Sequence, residues 1–162
     1  MFSPAPEPRI AYADDASVIA VVGRLIIMDW RGQVVARHFE AIRTEHHALL
    51  RSFPDGTVGI HLTGEGVRLP QGRDRAAAFD LARETSGSTR SVGIHIGAQG
   101  FVASALQSFA IGLFSIFGNA KAKSFRSVDP LCDWLAEQGC DVGSSAQLRA
   151  LVDSVQAHTP TT

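Results

Sequence analysis

SVIAVVGRLIIMDWRG, residues 17–32, reads as two strands joined by a tight turn. Ser17–Val22 and Leu25–Trp30 are rich in β-branched residues, which fit a pleated, packed surface. The intervening Gly23-Arg24 suits a two-residue hairpin loop, because glycine tolerates the positive φ such loops require. Both runs are apolar at nearly every position instead of alternating, so both faces of this hairpin are expected to be covered. Ile10–Ala13 is a short candidate strand ahead of it, set off by the turn-prone Asp14-Asp15.

Downstream the periodicity changes. Val35, Phe39, Ile42, His46, Leu49 and Phe53 step by four, three, four, three and four, one apolar stripe on a helix over Gln33–Ser52. Pro54-Asp55-Gly56 stops it, and Thr57–Leu62 (TVGIHL) reads as a strand. After a glycine-rich loop, a helix over Arg73–Glu84 is expected to turn Ala76, Phe79 and Ala82 or Arg83 inward. Ser91–Gly97 (SVGIHIG) is a strand, and Lys123–Arg126 a last short one. Ser127 is a candidate N-cap for a helix through Gln138 with Gly139 as its stop, and Ser144 or Ser145 caps another through Ala157. The order is three strands, then helix and strand in alternation, then two helices. It predicts an α/β fold: a mixed sheet with an N-terminal antiparallel hairpin and later parallel strands, packed by four to five helices. The organisation expected is a proline-rich extended arm over 1–9, one domain over 10–140, an additional helix over 141–157 and a tail over 158–162.

GFVASALQSFAIGLFSIFG, residues 100–118, lies in an interval, Ile96–Ala120, without a single Asp, Glu, Lys, Arg or His. It is long enough for a membrane span. Gln107 and the serines dilute it, however, and strand-like runs lie on both sides, which favours a helix buried in a domain with no integral membrane segment. Phe101, Ala105, Phe109, Gly112, Leu113 and Ile116 are expected to face the sheet. Ser104, Gln107, Ser108 and Ser115 fall near one line on the other side, broken by Ile111.

The chain has 162 residues, a net charge of −1 and a pI of about 6.6, with no clustered Lys and Arg of the kind that binds nucleic acid. MFSPAPEPR holds no apolar core of signal-peptide length. Cys132 and Cys140 have neither a disulfide framework nor a zinc spacing, and read as free thiols in a reducing cytoplasm.

Few residues carry a chemical pattern. TVGIHL and SVGIHI share Val-Gly-Ile-His, and an in-register parallel pairing would set His61 beside His95 for acid–base work. No Cys, Asp or Glu sits at ligand spacing near them, so no metal and no cofactor is expected. His46 and His47 are neighbours on a helix, about 100° apart, and do not face one ion. Thr63-Gly64-Glu65-Gly66 lacks the order and the lysine of a phosphate-binding loop, and no Gly-x-Ser-x-Gly elbow occurs. Ser86, Ser88 and Thr89 read as an exposed linker.

Taken together, the hairpin SVIAVVGRLIIMDWRG, the loop GVRLPQGRDR, the run Gly100–Phe117 and the ending KSFRSVDPLCDWL resemble the STAS fold of anti-sigma-factor antagonists. The SpoIIAA-like branch, related to SEC14-type lipid-binding domains, is more similar still. The resemblance covers roughly residues 10–138. Members that switch through a kinase carry an Asp-Ser-Ser/Thr-Gly turn after a central strand, whereas this chain reads LTGEGVRLPQG there. What the resemblance implies is a compact, non-enzymatic regulatory module working through a protein partner or as a homodimer. Its contact surface would lie around Ile111, Ser115 and Gly118. The alternative implied by SEC14-like relatives is an apolar small molecule or lipid held by Phe109, Leu113 and Phe117. A third reading is an enzyme using His61 and His95. A pocket lined by the aromatic set, a flat apolar patch, or a polar cleft holding both histidines would separate the three.

Overall fold

In the computed structural model, which describes residues 6–118 and 121–161, the chain forms a six-stranded mixed sheet flanked by five α-helices. The first five residues of the expected arm, and Thr162 of the tail, lie outside the described residues. The strands are β1 (Arg9–Ala13), β2 (Ser17–Val22), β3 (Leu25–Trp30), β4 (Thr57–Thr63), β5 (Thr89–Ile96) and β6 (Ala122–Phe125). The helices are α1 (Ala36–Leu50), α2 (Gly72–Thr85), α3 (Gly100–Phe117), α4 (Val128–Glu137) and α5 (Ser145–Ala157). Spatial order follows chain order, β1 to β6. The first three strands are antiparallel and β3 to β6 are parallel.

β2 and β3 have the bounds expected of them, and Gly23 takes a φ of +53° at the first position of the loop. Their unbroken hydrophobicity has the expected cause. Val18, Ala20, Leu25 and Ile27 pack under α4 and α5, while Ile19, Ile26, Met28 and Trp30 pack under α1, α2 and α3. The α4–α5 side is tight: Leu131, Leu135, Leu148, Val152 and Val155 are fully buried. Gly93 permits this approach, since a Cβ there would stand 3.2 Å from Cγ of Leu131. α5 is tied down at both ends. Ser144 Oγ accepts from the Gln147 N–H in a capping box, and Arg31 donates to the carbonyls of Val155, Gln156 and His158 at its C-terminus.

Three expectations need correction. α1 starts at Ala36, not Gln33, because Gln33 and Val34 are held extended by a bridge to Arg68: Val34 N–H donates to the Arg68 carbonyl and Arg68 N–H to that of Gly32. α2 is rotated from the expected orientation. It buries Ala78, Leu81, Ala82 and Thr85, leaves Ala76 exposed, and turns Phe79 toward α3. α3 is rotated too and lies at the outside. It meets the sheet through Ala103, Leu106 and Ala110, whereas Phe101 is 88% exposed and Phe109 only partly buried. Small alanines let a helix approach closely, and that contact outweighs the pull of one aromatic at the helix start. The serine line does lie outward: Ser104, Ser108 and Ser115 are exposed, with Ile111 among them at 59%. Gln107 instead pairs with Ser124 of β6 at 3.1 Å.

Candidate functional site

Between the sheet and the α1–α3 layer the packing is incomplete. One cavity of about 80 Å³ lies among Met28, Ile42, His46, Val92, Leu113 and Phe117. A second, of about 60 Å³, lies among Trp30, Leu69, Ile94, Leu106, Phe109 and Leu113. Both are also lined by Phe39 and His61, so the two cavities are neighbours. The reason for the void is local. β4 presents Gly59 to this face, and α3 spans it with alanines at its closest points.

Among the described residues no Asp, Glu, Lys or Arg side chain lines either cavity. The polar side chains that do are almost all engaged. His46 hydrogen-bonds Thr57 Oγ1 through Nδ1 at 2.9 Å and Ser88 Oγ through Nε2 at 2.8 Å. Thr85 and Thr89 donate to the carbonyls of Leu81 and Thr85, and Thr63 donates to that of His95. The indole N–H of Trp30 donates to Nδ1 of His61 at 3.1 Å, with the two ring planes within 19° of parallel. That bond fixes the neutral imidazole with its proton on Nε2. Burial pushes the His61 pKa down to about 4, so the ring is uncharged at neutral pH. Its Nε2–H has no hydrogen-bond partner among the described residues.

A second polar group stiffens the wall behind Trp30. His38, fully buried, sits edge-on to both Trp30 and Tyr12. Its Nε2 lies 3.0 Å from Asp14 Oδ2, and its Nδ1 accepts the Val35 N–H that opens α1. Burial works to raise the Asp14 carboxyl, but bonds from His38, Tyr12 and the Ala16 and Ser17 amides prevail and hold it below its ordinary value. With both nitrogens engaged, His38 is a strut.

The structure separates the two strand histidines. In the β4–β5 pair His61 stands opposite Ile94, and His95 opposite Leu62. The register slips between Thr57 and Val58, which places the two Val-Gly-Ile-His segments one residue out of phase. Because side chains alternate, a one-residue offset sends His95 to the α4–α5 side. There burial lowers its pKa, and its Nδ1 is buried without a partner. The acid–base pair is therefore not assembled. Nor does any group of three His, Cys, Asp or Glu suited to a metal occur among the described residues.

The remaining site candidates divide into two sets. Phe109 and Leu113 line the smaller cavity, and Leu113 and Phe117 the larger. Ile111, Ser115 and Gly118 lie on the outer face of the same helix. Ser88 and Thr89 are not exposed linker: Ser88 bonds His46, and Thr89 begins β5, buried. Trp30, Phe39 and Leu106 are the wall residues that sequence reasoning missed. The signal for Trp30 was its place two residues beyond Met28, which stands opposite His61 in the β3–β4 pair. No known protein family, curated protein or solved structure matches the chain.

Proposed function

We propose that this chain is a non-enzymatic binding domain that holds an apolar small molecule in the paired cavities beneath α3. The observation that carries the reading is the pair of cavities, walled by Phe39, Leu106, Phe109, Leu113 and Phe117, whose shared lining includes one side-chain N–H, that of His61, with no partner among the described residues. Apolar pockets with a few convergent polar groups are the usual form of a small-molecule site. The two together approach the ~150 Å³ that admits benzene in an engineered core. The element order agrees with a SpoIIAA-like or SEC14-like relationship, and the buried free thiols of Cys132 and Cys140 agree with a reducing cytoplasm. Native mass spectrometry of protein purified under mild conditions tests the reading. A retained small molecule, released on denaturation and competing with an added apolar probe, is the expected result. Ligand-free protein that takes up no apolar probe would overturn it.

A second reading is favoured by one observation. Ile111 is 59% exposed in the middle of an uncharged helix surface that includes Ser115 and Gly118. Such a surface suits a protein partner or a second copy of the chain. It is compatible with the first reading, since the cavities lie on the other side of the helix.

A further inference from the structure

The polar census of the cavities, together with the proposal that they bind a small molecule, narrows the chemistry of what they hold. Every other polar side chain on the walls is engaged within the protein, which leaves the Nε2–H of His61 as the unmatched group. That group is a donor and not an acceptor, because Trp30 occupies Nδ1. Among the described residues no Asp, Glu, Lys or Arg side chain lines the cavities, so an unpaired charge buried inside them would be costly. Water alone is a poor occupant. A well-held buried water needs two to four polar partners, and His61 supplies the one unengaged side-chain donor. A water so weakly held is displaced with gain by a group that reproduces its single hydrogen bond.

We propose that the ligand beneath α3 is a compact, uncharged, largely apolar molecule bearing one hydrogen-bond acceptor, such as a carbonyl or ether oxygen, which takes the Nε2–H of His61. This inference rests on the small-molecule reading above and goes further by naming the ligand's chemical class. Trp30 acts as a positioning residue. By holding Nδ1 it fixes which nitrogen carries the proton and holds the ring in place. The neutral state produced by burial keeps this donor the same across the physiological pH range.

The test uses the whole chain, labelled with ¹⁵N, and two probes of one shape: cyclopentanone and methylenecyclopentane. In a wholly apolar cavity the ketone would bind the more weakly, since its carbonyl loses water and gains nothing. With a donor in place, a hydrogen bond of ordinary strength should offset part of that penalty, so the ketone-to-hydrocarbon affinity ratio should be roughly fivefold higher in wild type than in His61→Phe. It should also shift the His61 Nε2–H resonance, which the hydrocarbon should leave in place. Before any probe is added, the His61 nitrogens should report the Nε2–H tautomer. A ketone-to-hydrocarbon ratio unmoved by His61→Phe, ketone binding without movement of His61, or an Nδ1–H tautomer would each overturn the inference while leaving the cavity reading intact. Failure of both probes to bind would overturn the two together.

Discussion

Leu62 stands directly opposite His95 in the parallel pair of β4 and β5, and the side chain next to Leu62, His61, points to the other face of the sheet. A layer of backbone therefore separates the two imidazoles, and they share no partner. Replacing His61 with Phe should cost about 1–3 kcal/mol, mainly because the Trp30 N–H loses its acceptor. Combined with His95→Ala, the losses should add to within about 0.5 kcal/mol. Urea denaturation of the two single variants and the double variant gives the coupling. A larger value would mean that the histidines act as one unit.

Stability should fall on mild acidification. The folded-state pKa of His61 is pushed by burial to about 4, below the ordinary value of 6.5, so between those values the unfolded chain binds the proton that the folded chain refuses. The contribution is fully present above pH 6.5 and is lost as pH falls from 6.5 toward 4. His46 and His95, lowered in the same direction by burial, add to the trend. A loss on the order of 3 kcal/mol between pH 7 and pH 4 is expected from His61. Unfolding curves across this range should steepen below pH 6.5, and the His61→Phe variant should show the smaller slope.

The seam between α3 and the sheet can be tested with two substitutions on one helix. Leu106 is 5% exposed and fills the smaller cavity's wall, so Leu106→Ala should cost about 2–5 kcal/mol. Phe101, at 88% exposure, should be replaceable by Ala within about 0.5 kcal/mol. Thermal and chemical denaturation of both variants decides it, and the reverse ranking would mean that the helix is turned the other way.

For the outer face of α3 the informative change is Ile111→Asp. The side chain is 59% exposed, so the fold should persist with an unaltered circular dichroism spectrum. If this surface meets a second copy of the chain, a charge at its centre should dissociate the dimer. Sedimentation of wild type and variant over the same concentration range reads the change. A wild type that stays monomeric throughout removes the homodimer reading and leaves a different protein as the partner for this surface.

The hairpin was legible to the residue because β-branched runs and a glycine turn are local properties. Register was not. The slip that parts His61 from His95 depends on how Thr57 meets Thr89 and Val58 meets Ser91, a matter of tertiary fit that the repeated Val-Gly-Ile-His motif disguised. Helix orientation failed for a related reason. Ala103 and Ala110 mark the closest approach of α3, but alanine carries little hydrophobic signal beside Phe101 or Phe109. On α2 the expected Ala82 is in the core, but Ala78 was overlooked and Ala76 lies outside, for the same cause. Of the candidate cavities, the apolar set Phe109, Leu113 and Phe117 was named from sequence, and all three line them. The hydrogen bond that orients His61 could not be read there, since it joins residues 31 positions apart on neighbouring strands.

The two faces of the sheet are unequal in density, close-packed beneath α4 and α5 and hollow beneath α1, α2 and α3. Hydrostatic pressure acts on that difference, because unfolding under pressure is driven by the voids it eliminates. Compression should therefore loosen the α1–α3 layer while the α4–α5 layer still holds. An apolar guest filling the hollow side would take away that weakness, making the occupied protein the more pressure-resistant form.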